Sequence, residues 1–342
     1  MIHASHLTKT YSAFDLDRKD SGIGLWVKNL LRLTGNRASP VTALDDLSLD
    51  VAKGEVLGIF GANGAGKTTL IKILSGLLRA DRGSLTIDGA SDANAIKERI
   101  SYVSTNGWMG LEWQLTTWEN LLLYGQLFGL GNREIVRRGE AALDLLGLGD
   151  ARQKYISQLS AGMRQKVTLA RGLLLERPVL YLDEPTVSLD VQSAAQVRRI
   201  VEETARQEGR TVLVTSHNPL DLAACDRILF LHRGRAVAVG SHAQLLQPLG
   251  PVVALHITCG ADESQLEPLG AELRMLAGVR SLHFEPGQSR RSQWILRVVV
   301  DETLNPVNGI IDCFIEHDLP ILALQSRPVT LQELYEQAIR PS

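Results

Sequence analysis

The run Val56-Leu-Gly-Ile-Phe60 leads into Gly61-Ala-Asn-Gly-Ala-Gly66-Lys67-Thr68, and no other feature constrains the fold of this chain as tightly. Five apolar residues in a row read as a buried strand, and residues 68–78 (TTLIKILSGLL) repeat their apolar positions at helical spacing. Between them sits G-x-x-x-x-G-K-[ST], in the strand–loop–helix setting that gives the pattern meaning. Glycines let a backbone wrap closely around phosphate with its amides turned inward, and the helix N-terminus adds a field that favours anions. Gly61, Ala62, Asn63, Gly64, Ala65 and Gly66 are therefore expected to cradle a triphosphate. Lys67 is placed to reach its β- and γ-phosphates, Thr68 to ligate Mg2+, and Thr69 to donate to the α-phosphate. Two glycines, a lysine and a hydroxyl at this spacing arise by accident in on the order of one per cent of chains this long. The required strand and helix lower that figure further.

The remaining pattern extends this unit into an α/β fold. VLYLD (179–183) and TVLVTS (211–216) are short apolar runs of the kind found in parallel sheets covered on both faces. Residues 191–209 have helical periodicity and stop at Gly209, a C-terminal cap. Residues 227–240 read as a hairpin turning at Arg233-Gly234. Pro248-Leu249-Gly250-Pro251 marks a break, so two domains are expected: 1–245, with an insert at about 12–40, and 250–342. The second reads as strand, helix, strand, strand, helix, strand and a last helix, which is the ferredoxin-like α+β order.

VLYLD ends in two acids. A strand of this kind presents its C-terminal end at the crevice where open α/β sheets bind ligands. Asp183 is expected to hold Mg2+, directly or through water, and Glu184 to orient and polarise the attacking water, with Pro185 fixing the turn. Asp-Glu-Pro also makes an ordinary solvated turn, and it is the phosphate loop upstream that favours the chemical reading.

These motifs resemble those of the nucleotide-binding subunits of ATP-binding-cassette (ABC) transporters over roughly residues 1–245. Leu159-Ser160-Ala161-Gly162-Met163-Arg164-Gln165-Lys166 stands where that family has its signature loop, and Ser188-Leu189-Asp190 where it has its D-loop. Thr215-Ser216-His217 matches the switch histidine, Tyr11 the aromatic residue that stacks on adenine, and Val41 a residue packing beside it. The resemblance implies an ATPase in which a second copy completes the site. Ser160 opens a helix, so its hydroxyl and the amides of Ala161 and Gly162 form an anion site. In the family this site caps the γ-phosphate held by the opposite subunit, and Asp190 belongs to the same shared region. The implied partners are an integral membrane permease and a second nucleotide-binding subunit, with this chain peripheral on the cytoplasmic face of the membrane.

The chain departs from the family pattern in three places. Ala161 and Met163 replace the usual glycine and glutamine of the signature. After Ile100-Ser-Tyr-Val103 the family has a glutamine that touches magnesium; here Thr105 occupies that slot, and Gln114 lies further along. The insert carries Gly24-Leu-Trp26-Val-Lys28-Asn-Leu30-Leu-Arg32-Leu33, an amphipathic pattern suited to a membrane or permease surface, or to packing on its own domain. Trp108, Trp113 and Trp118 cluster near the altered loop, either as a docking surface or as core of a helical subdomain.

Composition excludes some alternatives. The 342 residues are 44% hydrophobic and 22% charged with a net charge of −2, without the basic excess of a nucleic-acid surface. Cys225, Cys259 and Cys313 are too few and too scattered for a disulfide framework or a metal site. The N-terminus lacks a signal-peptide layout, and no stretch reaches the roughly 18 apolar residues of a membrane span. The resemblance is to the branch of that family that pairs with separate membrane permeases, and it implies the ATP-hydrolysing subunit of a transporter that exports a drug, small molecule or lipid-linked product. The alternatives are a soluble mechanochemical ATPase and an ATP-sensing module. The former usually carries two nucleotide domains or a long coiled-coil insert, and Glu184 and His217 argue against the latter.

Overall fold

The computed structural model describes residues 1–11, 40–104, 110–287 and 293–339. The chain divides into two compact units, Met1–Val239 and Gly240–Ser342.

The first unit is built on β3 (Val56–Phe60), β5 (Ile100–Ser104), β6 (Val179–Asp183), β7 (Thr211–Ser216), β8 (Arg227–His232) and β9 (Arg235–Gly240), in the order β5-β6-β7-β3-β8-β9. The pairings β5–β6, β6–β7, β7–β3 and β3–β8 are all parallel. The strands VLGIF, VLYLD and TVLVTS are buried along their whole length, which is why apolar runs rather than alternating ones occur here. Crossovers are made by α1 (Lys67–Leu74), α2 (Ala93–Arg99), α3 (Thr117–Leu127), α4 (Asn132–Leu145), α5 (Ala161–Leu174) and α6 (Val191–Glu208). A second, antiparallel sheet has the order β2-β1-β4, from β1 (Ile2–Tyr11), β2 (Val41–Val51) and β4 (Arg82–Ile87). One apolar cluster joins the two sheets through Ile2, Leu44, Leu57, Leu70, Tyr181 and Leu229.

The helix after the phosphate loop is shorter than the sequence reading has it. It ends at Leu74, although apolar periodicity runs on to Leu78. The Ser75 hydroxyl bonds back to the Ile71 carbonyl at 2.6 Å, and the amides of Leu77 and Leu78 both turn to the Lys72 carbonyl. Gly76 stands there in the left-handed conformation, φ 65°, with its amide bonded to the Ile73 carbonyl at 3.0 Å, and this glycine cap ends the helix while the apolar spacing runs on.

The second unit contains α7 (His242–Leu246), β10 (Val252–Gly260), α8 (Glu263–Met275), β11 (Val279–Pro286), β12 (Gln293–Asp301), α9 (Val307–Glu316), β13 (Ile321–Arg327) and α10 (Leu331–Ala338). Its strand order, β11-β12-β10-β13 with every pairing antiparallel, is the ferredoxin-like arrangement. Leu255, Ile257, Leu296 and Val298 bury one sheet face with Leu269, Leu273 and Phe314 from α8 and α9. The alternate residues point the other way. There the Arg327 guanidinium donates to Nε2 of His256 through Nε at 2.6 Å and reaches Glu333 of α10 at 3.0 Å. Glu333 is buried and also accepts from the amide and hydroxyl of Thr330, at 2.7 and 2.8 Å. His283 and Glu336 form a second tie to α10 at 2.8 Å. Burial and the cations Arg327 and Arg297 lower the His256 pKa, against which the carboxylates of Glu333 and Glu285 act more weakly.

The unfolded chain therefore binds a proton at His256 more readily than the folded one, and stability rises with pH across this interval. The contribution is complete above the ordinary histidine value and is lost as pH falls toward the lowered one. Backbone amides of α10 are expected to exchange faster at about pH 5.5 than their intrinsic rates account for, relative to about pH 7.5, and His256→Gln to flatten that dependence. Identical pH dependence in both proteins would remove His256 as its source.

Candidate nucleotide site

The loop after β3 is held by close backbone approaches. A Cβ on Gly61 would lie 2.4 Å from the Leu231 carbonyl oxygen of β8. Gly66 has φ 108°, and a Cβ there would meet the Ala43 carbonyl oxygen at 2.5 Å. Both positions exclude any side chain. The Gly234 amide, in the β8–β9 turn, donates to the Ala65 carbonyl at 2.9 Å and so fixes the loop from a third direction. Lys67 opens α1 and is buried, and its Nζ donates to the Gly61 and Ala62 carbonyls at 2.7 and 3.4 Å. Ala62, Asn63, Gly64 and Thr68 are exposed.

The acidic strand arrives beside this loop. Asp183 ends β6 and is buried, with Oδ1 accepting from the Thr215 hydroxyl at 2.6 Å and Oδ2 from the Tyr102 hydroxyl at 3.2 Å. Burial pushes the Tyr102 phenol up to about 12, so it stays protonated and remains a donor to the carboxylate. Glu184 has φ 53°, and its amide donates to the carbonyl and hydroxyl oxygens of Thr215, both at 3.1 Å. A left-handed conformation at a non-glycine residue costs on the order of 1 kcal/mol and persists where its surroundings enforce it. Here it accompanies a carboxylate set between two other groups: Oε1 is 3.3 Å from Lys67 Nζ, and Oε2 is 2.8 Å from His217 Nδ1. Lys67, Glu184 and His217 thus form a row across the carboxyl ends of β3, β6 and β7. A carboxylate so placed is suited to orienting a water, with two nitrogen groups beside it to meet phosphate charge.

The other expected residues fall into two groups. Tyr11 and Val41 are directly paired across β1 and β2, and the Tyr11 hydroxyl lies 3.4 Å from Oγ1 of Thr69 in α1, so the pair stands beside that helix. Ser160, Ala161 and Gly162 form a separate group. Ser160 is the exposed N-cap of α5, and its Oγ accepts from the Met163 amide at 3.2 Å. A Cβ on Gly162 would sit 3.3 Å from the Ser188 carbonyl, so the signature segment lies against the turn that follows β6. Asp190 caps α6, accepting from the amide and the hydroxyl of Ser193, each at 2.9 Å, and these bonds hold its carboxyl below the usual range. No hydrogen bond or ion pair among the described residues joins Ser160, Ala161, Gly162 or Asp190 to Lys67, Asp183 or Glu184.

Trp118 is half-buried against Gly139 with the Arg152 guanidinium 4.2 Å from its ring, so it is part of the helical subdomain. Trp113 is 41% exposed, with Arg164 stacked at 5.0 Å. Thr105, Trp108 and the 24–33 segment lie outside the described residues.

Three residues of the site carried no role in the sequence reading: Tyr102, Thr215 and Asp221. Each is a polar group set among apolar strands or in a turn, and each is satisfied by a partner at least 31 positions away or by several at once. The one signal in the sequence was Thr215 itself. A hydroxyl near the end of the apolar run TVLVTS, fully buried, must find a partner.

The parallel sheet with a phosphate loop between β3 and α1 is the fold of a P-loop nucleotide hydrolase. The sequence model of the ABC transporter family matches residues 44–187. The ABC transporter ATP-binding protein NatA of Bacillus subtilis is 36% identical over 211 residues, spanning 60% of this chain and 85% of that one. The daunorubicin resistance ATP-binding protein DrrA3 of Streptomyces coeruleorubidus is 34% identical over 292 residues, 78% of this chain and 91% of that protein. Among solved structures, a dimeric ATP-binding cassette in a post-hydrolysis state, bound to ADP and Pi, shares the fold. Its TM-score is 0.59 at 23% identity, over 70% of this chain and 98% of the cassette. The chain belongs to the ATP-binding subunits of ABC transporters, and it is an ATPase of that family.

Proposed function

We propose that this chain drives export of a small molecule, drug or lipid-linked product through a separate membrane permease, and that two copies of it clamp ATP between them. The observation that carries the catalytic part is the convergence of Lys67, Glu184 and His217 at 3.3 and 2.8 Å. In this reading the loop from Gly61 to Gly66 gives its amides to the phosphates, Lys67 neutralises the β- and γ-phosphates, and Thr69 donates to the α-phosphate. Tyr11 stacks on the adenine, with Val41 beside it. Glu184 orients the attacking water, and His217 meets the γ-phosphate from the other side of that carboxylate.

Thr68 and Asp183 offer oxygen donors only, and no group of three or more His, Cys, Asp or Glu side chains among the described residues is placed to hold a metal by itself. This donor set suits Mg2+, which takes one or two protein oxygens and completes its shell with phosphates and water. Mg2+ bound there would neutralise charge developing on the phosphates. Thr215 and Tyr102 hold the Asp183 carboxylate in place for it.

Among the described residues no hydrogen bond or ion pair ties Ser160, Ala161 or Gly162 to the phosphate loop of their own chain, which supports their serving the partner protomer's nucleotide. The Ser160 hydroxyl and the first amides of α5 make an anion site of the required kind. Among the described residues no helix is long and apolar enough to cross a membrane, which supports a peripheral subunit attached through its permease on the cytoplasmic face. The direction of transport is supported by the Streptomyces relative, named for daunorubicin resistance.

A site completed by a second copy makes hydrolysis depend on association. The specific ATPase activity of the full chain is expected to rise with protein concentration until dimers dominate. Constant specific activity across that range, from a protein that stays monomeric with MgATP, would overturn the shared site. Export itself is tested in inside-out membrane vesicles holding the permease. ATP-dependent accumulation of substrate inside them supports export, and accumulation only in right-side-out vesicles opposes it.

A further inference from the structure

We infer that Asp221 is a positioning residue for hydrolysis, tying the turn that carries Glu184 to the loop that carries His217. The inference rests on the assignment of Glu184 and His217 given above. Asp221 lies in the short turn Pro219–Leu222 after β7, and its carboxylate is almost wholly buried, with a side-chain exposure of 2%. A carboxylate removed from water to this degree persists in its ionised form only when charge and hydrogen bonds compensate it.

Its partners come from three other segments. The Thr186 hydroxyl donates to Oδ2 at 2.6 Å, and Thr186 is two residues beyond Glu184 and four before Asp190. The Ser216 hydroxyl donates to the same oxygen at 2.8 Å, and Ser216 directly precedes His217. Arg198 of α6 donates to Oδ1 at 3.0 Å. Ser216 Oγ also accepts from the Asn218 amide at 2.9 Å, so the hydroxyl beside His217 is bonded on two sides. One carboxylate thus bonds the residue in front of the histidine, the turn behind the glutamate, and the helix that Asp190 caps.

The consequence is geometric. Glu184 and His217 meet at 2.8 Å but sit on different strands, and each follows its strand end into a turn. Parallel pairing of β6 and β7 fixes the strands up to Asp183 and Thr215, one residue short of Glu184 and two short of His217. Beyond those points Asp221 supplies a common anchor for both turns. Misplacement of reacting groups by about 1 Å costs on the order of a hundredfold in rate. The hydrogen bonds of Asp221 go to Thr186, Ser216 and Arg198 rather than to the phosphate loop or α1, so loss of the anchor is expected to act on turnover far more than on affinity.

The test is steady-state ATPase kinetics of the full chain carrying Asp221→Asn, with ATP affinity and thermal unfolding measured on the same samples. The amide keeps the volume but loses the charge and one acceptor, so kcat is expected to fall about tenfold to a hundredfold while KM and ATP affinity change less than about twofold. In a His217→Ala background the same substitution is expected to cost measurably less than in the parent, because one of the two groups it positions is gone while Glu184 remains. Should Asp221→Asn not fold, Thr186→Val and Ser216→Ala remove one hydroxyl each and keep the Asp221–Arg198 pair, and each is expected to lower kcat in the same selective way. Parental kcat in these variants overturns the inference, as does a rise in KM alone or an equal loss with and without His217. Failure of the underlying assignment shows differently: Glu184→Gln would then hydrolyse ATP at the parental rate, whatever Asp221 does.

Discussion

Glu184→Gln is expected to bind ATP as tightly as the parent, hydrolyse it at least a hundredfold more slowly, and elute as a dimer when loaded with MgATP. Water orientation and activation by a positioned carboxylate contributes about 10²–10⁴ in rate, and an amide of the same shape cannot accept the proton. Binding does not suffer, for an electrostatic reason visible in the site. The carboxylate lies 3.3 Å from Lys67 Nζ, and both groups are largely shielded from water. Neutralising it removes a negative charge from the neighbourhood of the incoming phosphates and leaves the lysine, the loop amides and the helix N-terminus in place. His217 loses its anionic partner at 2.8 Å but keeps an acceptor of the same reach in the amide oxygen. With binding intact and cleavage blocked, the nucleotide stays at the proposed interface and holds two protomers together. Size-exclusion chromatography and single-turnover ATP cleavage measure the two halves of this expectation. Cleavage at the parental rate would remove Glu184 from the catalytic role.

How much of this was legible before the structure follows from where each constraint lies along the chain. The phosphate loop is contiguous: the close approaches at Gly61 and Gly66, the buried Lys67 and the helix start fall within eight positions, so sequence spacing carries the geometry directly. The acidic pair is likewise local, since an apolar strand ending in Asp183-Glu184 announces both its burial and its crevice end. The ferredoxin-like order of the second unit was readable because its strands alternate between an apolar face and a polar one.

What spacing could not convey is pairing at a distance. Thr215 meets Asp183 from 32 positions away and Tyr102 meets it from 81, and nothing in either local sequence names the partner. Asp221 is a stronger case. In sequence it is one acid in a turn, and only the folding of three other segments onto it makes it an anchor. The end of α1 differs for the opposite reason, because a local cap at Gly76, φ 65°, overrode an apolar period that spacing reads as helix. Ser160 to Gly162 were recognisable only through resemblance. Their proposed chemistry belongs to the neighbouring protomer, which no property of a single chain displays.

That division of the site between protomers leads to the sharpest expectation. Lys67→Ala removes a buried cation from the phosphate loop and should abolish nucleotide binding at its own loop, or nearly so; unchanged affinity would remove the phosphate-loop assignment. Gly162→Asp puts a carboxylate at the first turn of α5, where it repels the phosphate that this helix start would cap and crowds the Ser188 carbonyl, 3.3 Å from where a Cβ must go. Each variant alone is expected to lose more than about 99% of its ATPase activity, since every site in either homodimer carries the defect. Mixing them changes the arithmetic. In a heterodimer one site pairs the damaged loop with the damaged helix, while the other pairs an intact loop with an intact helix. Half the dimers in an equimolar mixture are of this kind if the copies associate at random, with one sound site in each, so up to about a quarter of the parental activity should return. The returned activity should grow with total protein concentration, as association does. A site contained within one chain allows no such recovery. Mixtures that stay as inactive as their components, while chemical cross-linking shows mixed dimers with ATP, would place Ser160 to Gly162 outside the partner's site.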